Sequence, residues 1–315
     1  MAQITVILPV LNGMPYLSEA LASLEAQTFR DFEVVLWDNG STDGTVEEAR
    51  RWIPSRLPGR VVTGNPLPLH LCLARMVNEA GSPLIARMDA DDVCLPHRFE
   101  EQVGFLERNP AISLVGCQVE CIDPQGKRLP KEHWAQFPLE HHDIVTQLLF
   151  NNPICHPCIL FRTESVRECG NYAMSSPVED LELYLRLVQT KRVANLASVG
   201  VYYRRHPTSI CAVAGKEDRL AGQMMATQAL YAEALFGIDS ETYSRLRDKS
   251  YPLAIFPLLK SAVYRSHGNL ASFLGVVRTP TFLFIGRCLM GKRDFVSKLF
   301  FRIVDVFTPA DSPRH

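Results

Sequence analysis

The chain has 315 residues, of which 47% are hydrophobic and 21% charged, a composition typical of a globular protein with enough apolar material for a buried core. Its 33 lysines and arginines against 34 aspartates and glutamates give a formal net charge of -1, so no overall field favours nucleic acid or an anionic membrane. We therefore expect no nucleic-acid partner.

The amino terminus, Met1 to Thr5, has no basic segment followed by an apolar stretch and leads directly into a strand pattern. No run of about 18 uncharged apolar residues follows, because the best candidates are interrupted by Arg287, Lys292 and Arg293. We expect a cytoplasmic protein, and the sequence leaves open a peripheral contact with the cytoplasmic face of a membrane.

The first part of the chain alternates between strand and helix patterns. Residues 4–10 form a short and almost wholly apolar run, as in a strand that is covered on both faces. A helical stripe follows at Leu17, Ala20, Leu21 and Leu24. A second strand over 32–37 ends at a dense cluster of turn formers, 38–44.

The alternation continues to about residue 92. Thr45 and Glu48 have the spacing of a capping box at the start of the next helix. A weak strand at Val61 and Val62 precedes a helix over 69–79 and a strand over 84–88. Strands separated by helices of this length predict parallel pairing with right-handed crossovers.

Ligands of parallel sheets bind outside the carboxyl ends of the strands. Three polar segments lie at such ends, namely 11–13, 38–41 and 89–92. Their coincidence at one edge of the predicted sheet is the first indication of a functional site.

From about Pro96 the pattern changes to helix, strand and a turn at 123–126, which favours a mixed sheet. Another helix is predicted over 177–188, and the chain beyond 202–206 is mostly helical. We therefore predict an α/β domain with a largely parallel central sheet over 1–210, whose halves are 1–95 and 96–210. A mostly helical region over 211–315 follows it.

Asp89, Asp91 and Asp92 place three carboxylates within four residues at the end of an apolar strand. They repel one another unless a hard divalent cation lies among them, and Mg²⁺ sites typically combine one or two carboxylates with substrate phosphates. The alternative is a solvated acidic turn that caps the helix beginning near Pro96.

Asp38, Asn39 and Ser41 offer a carboxylate, an amide and a hydroxyl at a tight turn, which suits the polar edge of a base or a ribose. An Asx-turn before a capped helix is the alternative. Pro9, Leu11 and Asn12 would flank the same crevice, and we count all three with the donor site. No GxxxxGK[ST] or GxGxxG motif follows any strand, so phosphate binding would depend on a metal.

Several motifs, in this order, resemble the family 2 glycosyltransferases with the GT-A fold. They are 7–13, 27–29, 38–44, 86–92, Asn152-Pro153 with His156-Pro157, 170–172, 179–183 and 203–206. The resemblance covers about residues 3 to 210 and implies an inverting transfer from a UDP- or dTDP-sugar to an acceptor hydroxyl. It makes surface polysaccharide or glycan synthesis the expected role.

The resemblance also implies roles for individual residues. Asp38 and Asn39 match the nucleoside-binding turn, and Asp89 and Asp91 match the DxD segment. The remaining matches are Asp91 as the principal ligand of Mg²⁺ or Mn²⁺, Asp180 as the general base, His206 near the metal and diphosphate, and Arg75 as a diphosphate contact. Asn39 stands where many members carry aspartate, and 75–80 departs from the usual Asn-x-Gly, so the donor pocket is expected to be atypical.

The acceptor is expected to be a glycan or a lipid-linked glycan. Near the carboxyl terminus, one face of a predicted helix is apolar, and Lys298 and Arg302 lie on the opposite face. Such a helix suits a membrane interface, and it equally suits a protein core or a dimer contact. The apolar face consists of Phe295, Leu299, Phe300, Ile303, Val304 and Phe307. The sequence is therefore also compatible with a homo-oligomer.

Several alternatives stay open at this stage. Asp180 also suits an acidic helix cap, and His206 a structural role. The whole chain suits a non-catalytic nucleotide-sugar binding or scaffold protein of the same fold, whereas a nucleotidyltransferase would need a glycine-rich loop after the first strand. The nine cysteines favour free thiols over disulfides, and a four-thiolate zinc site is the alternative for Cys117, Cys121, Cys155 and Cys158.

Overall fold

A computed structural model describes residues 2–131, 135–173, 178–209, 216–237, 239–240 and 243. The chain divides into one compact unit of Met1–Thr227 and a second of Gln228–His315. All residues predicted to form the site belong to the first unit.

The first half of this unit alternates strands and helices as predicted. The elements are β1 (Ile4–Val10), α1 (Leu17–Glu25), β2 (Phe32–Asp38), α2 (Thr45–Trp52), β3 (Gly59–Thr63), α3 (Leu69–Glu79) and β4 (Leu84–Arg87). The strands lie in the order β3-β2-β1-β4, and each neighbouring pair is parallel. The prediction of a parallel sheet is confirmed for this half.

The second half extends the same sheet with mixed pairing, which is also as predicted. Its elements are β5 (Val93–Cys94), α4 (Arg98–Arg108), β6 (Ile112–Ile122), α5 (His141–Gln147), a 3-10 turn (His156–Cys158), β7 (Leu160–Arg162), α6 (Thr163–Glu168), α7 (Glu179–Leu187) and β8 (Arg192–Arg204). The sheet continues from β4 in the order β7-β6-β8-β5. Only β6 and β8 are parallel among these neighbours.

The core lies on both faces of the parallel strands. All seven residues of β1 are buried, which explains why its sequence is apolar throughout instead of alternating. The predicted stripe of α1 is fully buried against the sheet at Leu17, Ala20, Leu21 and Leu24. Burial of this stripe is what fixes the short helix in place, since an isolated helix of this length is marginal in water.

The predicted capping box at the start of α2 is wrong. The helix begins after Gly44, which has a φ of 91° and no capping side chain. Thr45 lies inside the helix, where its backbone N–H donates to Asp43 Oδ1 at 3.1 Å. Glu48 accepts from Ser18 Oγ at 2.7 Å instead of reaching back to the helix start. Contacts with neighbouring segments have displaced the local motif.

The predicted helical carboxyl-terminal region begins with α8 (Lys216–Phe236). Within the second unit, Ala232, Phe236 and Tyr243 are buried, and Tyr243 Oη donates to Gln228 Oε1 at 2.8 Å. No helix in the described part of the chain combines the length and apolar character needed to cross a bilayer. The amphipathic helix predicted around 295–307 lies outside the described residues.

Candidate active site

The carboxyl ends of β1, β2 and β4 lie side by side because the three strands are parallel neighbours. Val10 pairs with Asp38, and Ile7 pairs with Arg87. The three polar segments that follow these strands therefore meet at one edge of the sheet, as predicted. Pro9 is buried within β1 at this edge.

Hydrogen bonds join the loop after β1 to the loop after β2. The Asn12 N–H donates to Ser41 Oγ at 2.8 Å, and the Thr42 N–H donates to Asn12 Oδ1 at 2.9 Å. The Gly13 N–H donates to Thr45 Oγ1 at 2.8 Å. Asn12 has a φ of 54°, in the left-handed region that asparagine tolerates better than most residues. The two loops therefore form one wall of the crevice, and donor contacts by Asn12 and Ser41 stay a prediction.

The turn after β2, which is predicted to bind a nucleoside, is held by its own side chains. The buried Asp38 carboxylate accepts from the Gly40 N–H at 3.1 Å and from the Ser41 N–H at 3.3 Å, which is an Asx-type arrangement. Asn39 Nδ2 donates to the Leu67 carbonyl at 2.7 Å, and Asn39 Oδ1 accepts from the Leu67 N–H at 2.7 Å. Asn39 thus clamps the segment before α3, and its contact with a base stays a prediction.

Arg75 and Leu11, both predicted to contact the donor, are exposed. Arg75 Nε donates to Glu79 Oε1 at 2.9 Å, and its guanidinium carbon lies 5.1 Å from the ring centre of Trp37. Leu11 is 57% exposed although it is apolar, which leaves its side chain free to contact a ligand. The contact of Arg75 with a diphosphate stays a prediction.

Asp89, Asp91 and Asp92 form a carboxylate cluster in which one oxygen of each lies within 4.8 Å of the others. Asp92 is 1% exposed, and its Oδ1 accepts from the Arg204 N–H at 2.8 Å. Its Oδ2 is buried without a hydrogen-bond partner. A buried carboxylate oxygen without a donor is costly, so this atom suits contact with a cation.

The electrostatics of the cluster point the same way. Burial raises the pKa of Asp89, and it raises that of Asp92 well above the ordinary range, with the charges of Asp89 and Asp91 adding to the effect. Three oxygen ligands of one sign suit Mg²⁺ or Mn²⁺, which would relieve this repulsion. Among the described residues this is the one group of acidic, histidine or cysteine side chains with metal-site spacing.

Arg87 lies beneath the carboxylates at the end of β4. It is 4% exposed, and its Nη1 donates to Asp89 Oδ2 at 2.5 Å. Its positive charge lowers the pKa of Asp89, Asp92 and Asp180 against the larger, opposing effect of burial. Arg87 therefore supplies a fixed counter-charge to carboxylates from two distant parts of the chain.

His206 follows β8 and reaches the cluster from the other half of the sheet. Its Nε2 lies 2.8 Å from Asp91 Oδ2, and its Nδ1 lies 2.9 Å from Thr208 Oγ1. The imidazole also packs against Tyr16 with the ring centres 5.0 Å apart. The predicted proximity of His206 to Asp91 is seen, while metal ligation by His206 stays a prediction.

Asp180 is fixed in orientation at the start of α7. Its Oδ2 accepts from Asn152 Nδ2 at 2.6 Å, and its Oδ1 accepts from the Leu181 N–H at 2.7 Å. Burial raises its pKa, and its charge in turn raises the pKa of Asp89, so the two carboxylates lie within electrostatic reach. Burial, reinforced by the charge of Asp180, raises the pKa of the adjacent Glu179 to about 7.

Sequence reasoning gave no separate role to four residues that the structure places here. Arg87 has a weak signal, because it is a lone charge at the end of an apolar strand. Asp92 has a signal only as part of the acidic run, since its burial depends on Arg204. Asn152 and Glu179 belong to recognisable motifs, but their contact or closeness to Asp180 appears only in three dimensions.

The seven cysteines in the described residues are free, as predicted. Cys117 and Cys158 are buried and in hydrogen-bond contact, and burial raises the pKa of the Cys158 thiol well above its usual range. Protonated thiols are poor metal ligands. Neither these two nor Cys121 and Cys155 belong to the group with metal-site spacing, so the zinc alternative finds no support in this part of the chain.

The comparisons with known proteins bear on the same region. The model of Glycosyl transferase family 2 matches residues 5–170. The amylovoran biosynthesis glycosyltransferase AmsE of Erwinia amylovora is 35% identical over 189 residues, which cover 58% of this chain and 68% of that protein.

Two solved structures share the fold. The mannosyltransferase PcManGT of Pyrobaculum calidifontis, in complex with GDP-Man and Mn²⁺, superposes with a TM-score of 0.58 at 17% identity, covering 94% of this chain and 82% of that one. S. aureus TarS 1-349, in complex with UDP-GlcNAc, gives a TM-score of 0.56 at 16% identity, covering 83% of this chain and 81% of that one. The predicted GT-A fold is thereby confirmed.

Proposed function

Because the chain belongs to glycosyl transferase family 2, we propose that this glycosyltransferase moves a sugar from a UDP- or dTDP-sugar to an acceptor hydroxyl with inversion at the anomeric carbon. The acceptor is a glycan or a lipid-linked glycan. The biosynthetic role in the name of AmsE supports a place in polysaccharide synthesis.

The observation that carries the proposal is the cluster of Asp89, Asp91 and Asp92 at the carboxyl edge of the parallel strands. Its buried and unpartnered Asp92 oxygen and the mutual repulsion of its carboxylates both favour binding of a cation. Asp38 and Asn39 lie at the end of β2, which is separated from β4 by β1, and a nucleoside would be held there. The proposed metal and nucleoside sites would thus share the carboxyl edge of the parallel strands, which suits a nucleoside diphosphate.

The residues fit Mg²⁺ or Mn²⁺, with Asp91 and Asp89 as principal ligands, Asp92 beside them and His206 at the edge. When bound, the cation would neutralise the charge that develops on the diphosphate as the glycosidic bond breaks. Arg87 keeps the carboxylates in place by its contact with Asp89.

Asp180 is the proposed general base. The acceptor hydroxyl must lose a proton as it attacks the anomeric carbon, and an ionised carboxylate at hydrogen-bond distance can accept it. Asn152 and the Leu181 N–H fix the orientation of the Asp180 carboxylate and stabilise its ionised form. Burial opposes ionisation and so makes the group a stronger base when it is charged.

The three successive regions of the chain have different proposed roles. Residues 1–95 hold the donor, and 96–210 provide the acceptor side and the base. The region 211–315 contributes to acceptor binding. The protein acts in the cytoplasm, and this region either contacts the cytoplasmic face of a membrane or forms part of a homo-oligomer.

A thermal-shift panel of UDP, dTDP, GDP and their sugars, with and without Mn²⁺, tests the proposed function. A ligand at about 100 times its dissociation constant adds roughly 2.7 kcal/mol of stability, enough to raise the melting temperature by several degrees. We expect one nucleotide to stabilise the protein only when Mn²⁺ is present.

Asp91→Ala should abolish that stabilisation, whereas Asp31→Asn, on an exposed loop away from the cluster, should preserve it. No response of the folded protein to any nucleotide with Mn²⁺ present would overturn the proposal. A response to GDP alone would change the proposed nucleobase of the donor to guanine and would leave the proposed sugar transfer unchanged.

A further inference from the structure

Arg204 is a fully buried arginine beside the carboxylate cluster. It is the last residue of β8 and is 2% exposed. A buried guanidinium is tolerated only when its donors are satisfied, because desolvating a charge is expensive. The hydrogen-bond partners of Arg204 therefore show which segments its buried side chain holds together.

Two contacts of Arg204 hold the carboxylate segment directly. Its Nε donates to the Asp91 carbonyl at 2.7 Å, and its backbone N–H donates to Asp92 Oδ1 at 2.8 Å. One residue thus fixes the main chain of the proposed principal ligand and the side chain of its neighbour.

The other donors of Arg204 reach two more segments. Nη2 donates to Glu19 Oε2 of α1 at 2.5 Å. Nη1 donates to the carbonyls of Asp123 and Pro124, in the turn after β6, at 3.2 and 3.3 Å. The guanidinium carbon also lies 4.7 Å from the ring centre of Tyr16. Arg204 is the point at which these segments are joined to the carboxylates.

Tyr16 also connects Arg204 to His206, the residue that contacts the Asp91 side chain. The ring of Tyr16 contacts both Arg204 and His206, and His206 Nε2 is 2.8 Å from Asp91 Oδ2. The main chain and the side chain of Asp91 are therefore held by two residues of one short segment.

We propose that Arg204 is a positioning residue that fixes the geometry of Asp91 and Asp92 for binding a divalent cation. This inference rests on the proposed function. Lysine cannot replace Arg204, because its donors radiate from one nitrogen and cannot reach the Asp91 carbonyl, Glu19 and the turn at Asp123 together. Groups that orient metal ligands typically contribute about 10- to 100-fold to metal affinity.

The test is the affinity of the full-length protein for Mn²⁺, measured from the electron paramagnetic resonance signal of free Mn²⁺. Arg204→Lys should weaken Mn²⁺ binding by about tenfold or more. Arg162→Lys is the matched control, since Arg162 donates to the Ile112 and Leu106 carbonyls at the opposite end of the sheet. It should lower the melting temperature to a similar extent and leave Mn²⁺ affinity within about twofold of the unsubstituted protein.

A second variant decides the matter if Arg204→Lys fails to fold. The Glu19 side chain is 54% exposed, so Glu19→Ala should fold while removing one anchor of Arg204, and it should weaken Mn²⁺ binding by roughly threefold. Unchanged affinity in the variants that fold would overturn the inference while leaving the proposed function intact. If the unsubstituted protein binds no Mn²⁺, the metal role in the proposed function and this inference fail together.

Discussion

At the scale of single residues, the site consists mainly of carboxylates. The pKa of each depends on its burial and on the charges around it. Arg87 contacts Asp89 directly and lowers the pKa of Asp180 through space. Glu179 is also near Arg87, but burial and the charge of Asp180 outweigh this and raise its pKa to about 7. Burial raises the pKa of both neighbouring acids, while hydrogen bonds from the Leu181 N–H and Asn152 favour the ionised form of Asp180.

The stability of the metal-free protein should depend on Glu179 with a definite sign. Its pKa rises from an ordinary value of 4.5 to about 7 on folding, so the folded state keeps a proton that the unfolded state has lost. The free energy of unfolding should therefore fall as pH rises from about 4.5 to about 7, by on the order of 3 kcal/mol.

Glu179→Gln should make that fall smaller, because only Asp89, Asp92 and Asp180, whose pKa values burial also raises, still contribute to it. The variant should be more stable than the unsubstituted protein at pH 8 in the presence of a chelator. Urea denaturation at a series of pH values measures this. Glu47→Gln, on the exposed surface of α2, is the control and should follow the unsubstituted protein. Parallel curves for Glu179→Gln and the unsubstituted protein would show that folding does not shift the pKa of Glu179.

Residue roles could be predicted only where a local pattern carried them. Asp89 and Asp91 stand out in sequence because clustered carboxylates are costly without a cation. Arg87 and Arg204 do not stand out, since burial of arginine depends on partners that are distant in sequence. Asn39 shows a further limit, because its amide is engaged by the Leu67 backbone and the sequence gives no sign of that clamp.

At the scale of elements, α4 joins the parallel and mixed parts of the sheet through buried polar side chains. Arg98 Nη2 donates to the carbonyls of Arg87 and Ile159 at 2.9 and 3.1 Å. Gln102 Nε2 donates to the carbonyls of Val115 and Cys158 at 3.1 and 2.7 Å. The helix thus donates to carbonyl groups around β7, and one of these, the Ile159 carbonyl, also accepts from the Arg87 N–H at 3.0 Å.

Gln102→Leu should destabilise the protein by roughly 2 to 4 kcal/mol, because two buried carbonyls lose their donor while the volume stays similar. Urea denaturation measures the loss. Gln189→Leu makes the same substitution at an exposed position after α7 and should change stability by less than about 0.5 kcal/mol. Equal stability of the two variants would mean that the carbonyls find other partners.

Elements with a clear period were predictable, and those defined by distant pairing were not. The helix over Leu69–Glu79 has the predicted bounds because its apolar stripe is regular. The two-residue strand Val93–Cys94 exists through its pairing with Tyr202 and Val201, which no local pattern encodes. The capping box at Thr45 failed because Asp43 and the loop after β1 compete for the same groups.

At the scale of the whole molecule, one sheet order unites residues that are far apart in the chain. β8 ends at Arg204 and pairs with β5, which directly follows the carboxylate cluster, so the segment after β8 reaches Asp91. His206 and Asp91 are separated by 115 positions yet are 2.8 Å apart. The sequence predicted the parallel half of this sheet, whereas the mixed half could be predicted only in outline because β7 and β5 are short.

Release of nucleoside diphosphate from the nucleotide-sugar that binds best is the most direct readout of the proposed transfer. The unsubstituted protein should release it with acceptor and Mn²⁺ present, lose that activity on chelation and regain it when Mn²⁺ is restored. Asp180→Asn should lower turnover by roughly 10²- to 10⁴-fold while donor-induced thermal stabilisation stays unchanged, and Asp31→Asn should behave as the unsubstituted protein. Turnover that survives chelation, or full turnover by Asp180→Asn, would contradict metal-assisted transfer with Asp180 as the base.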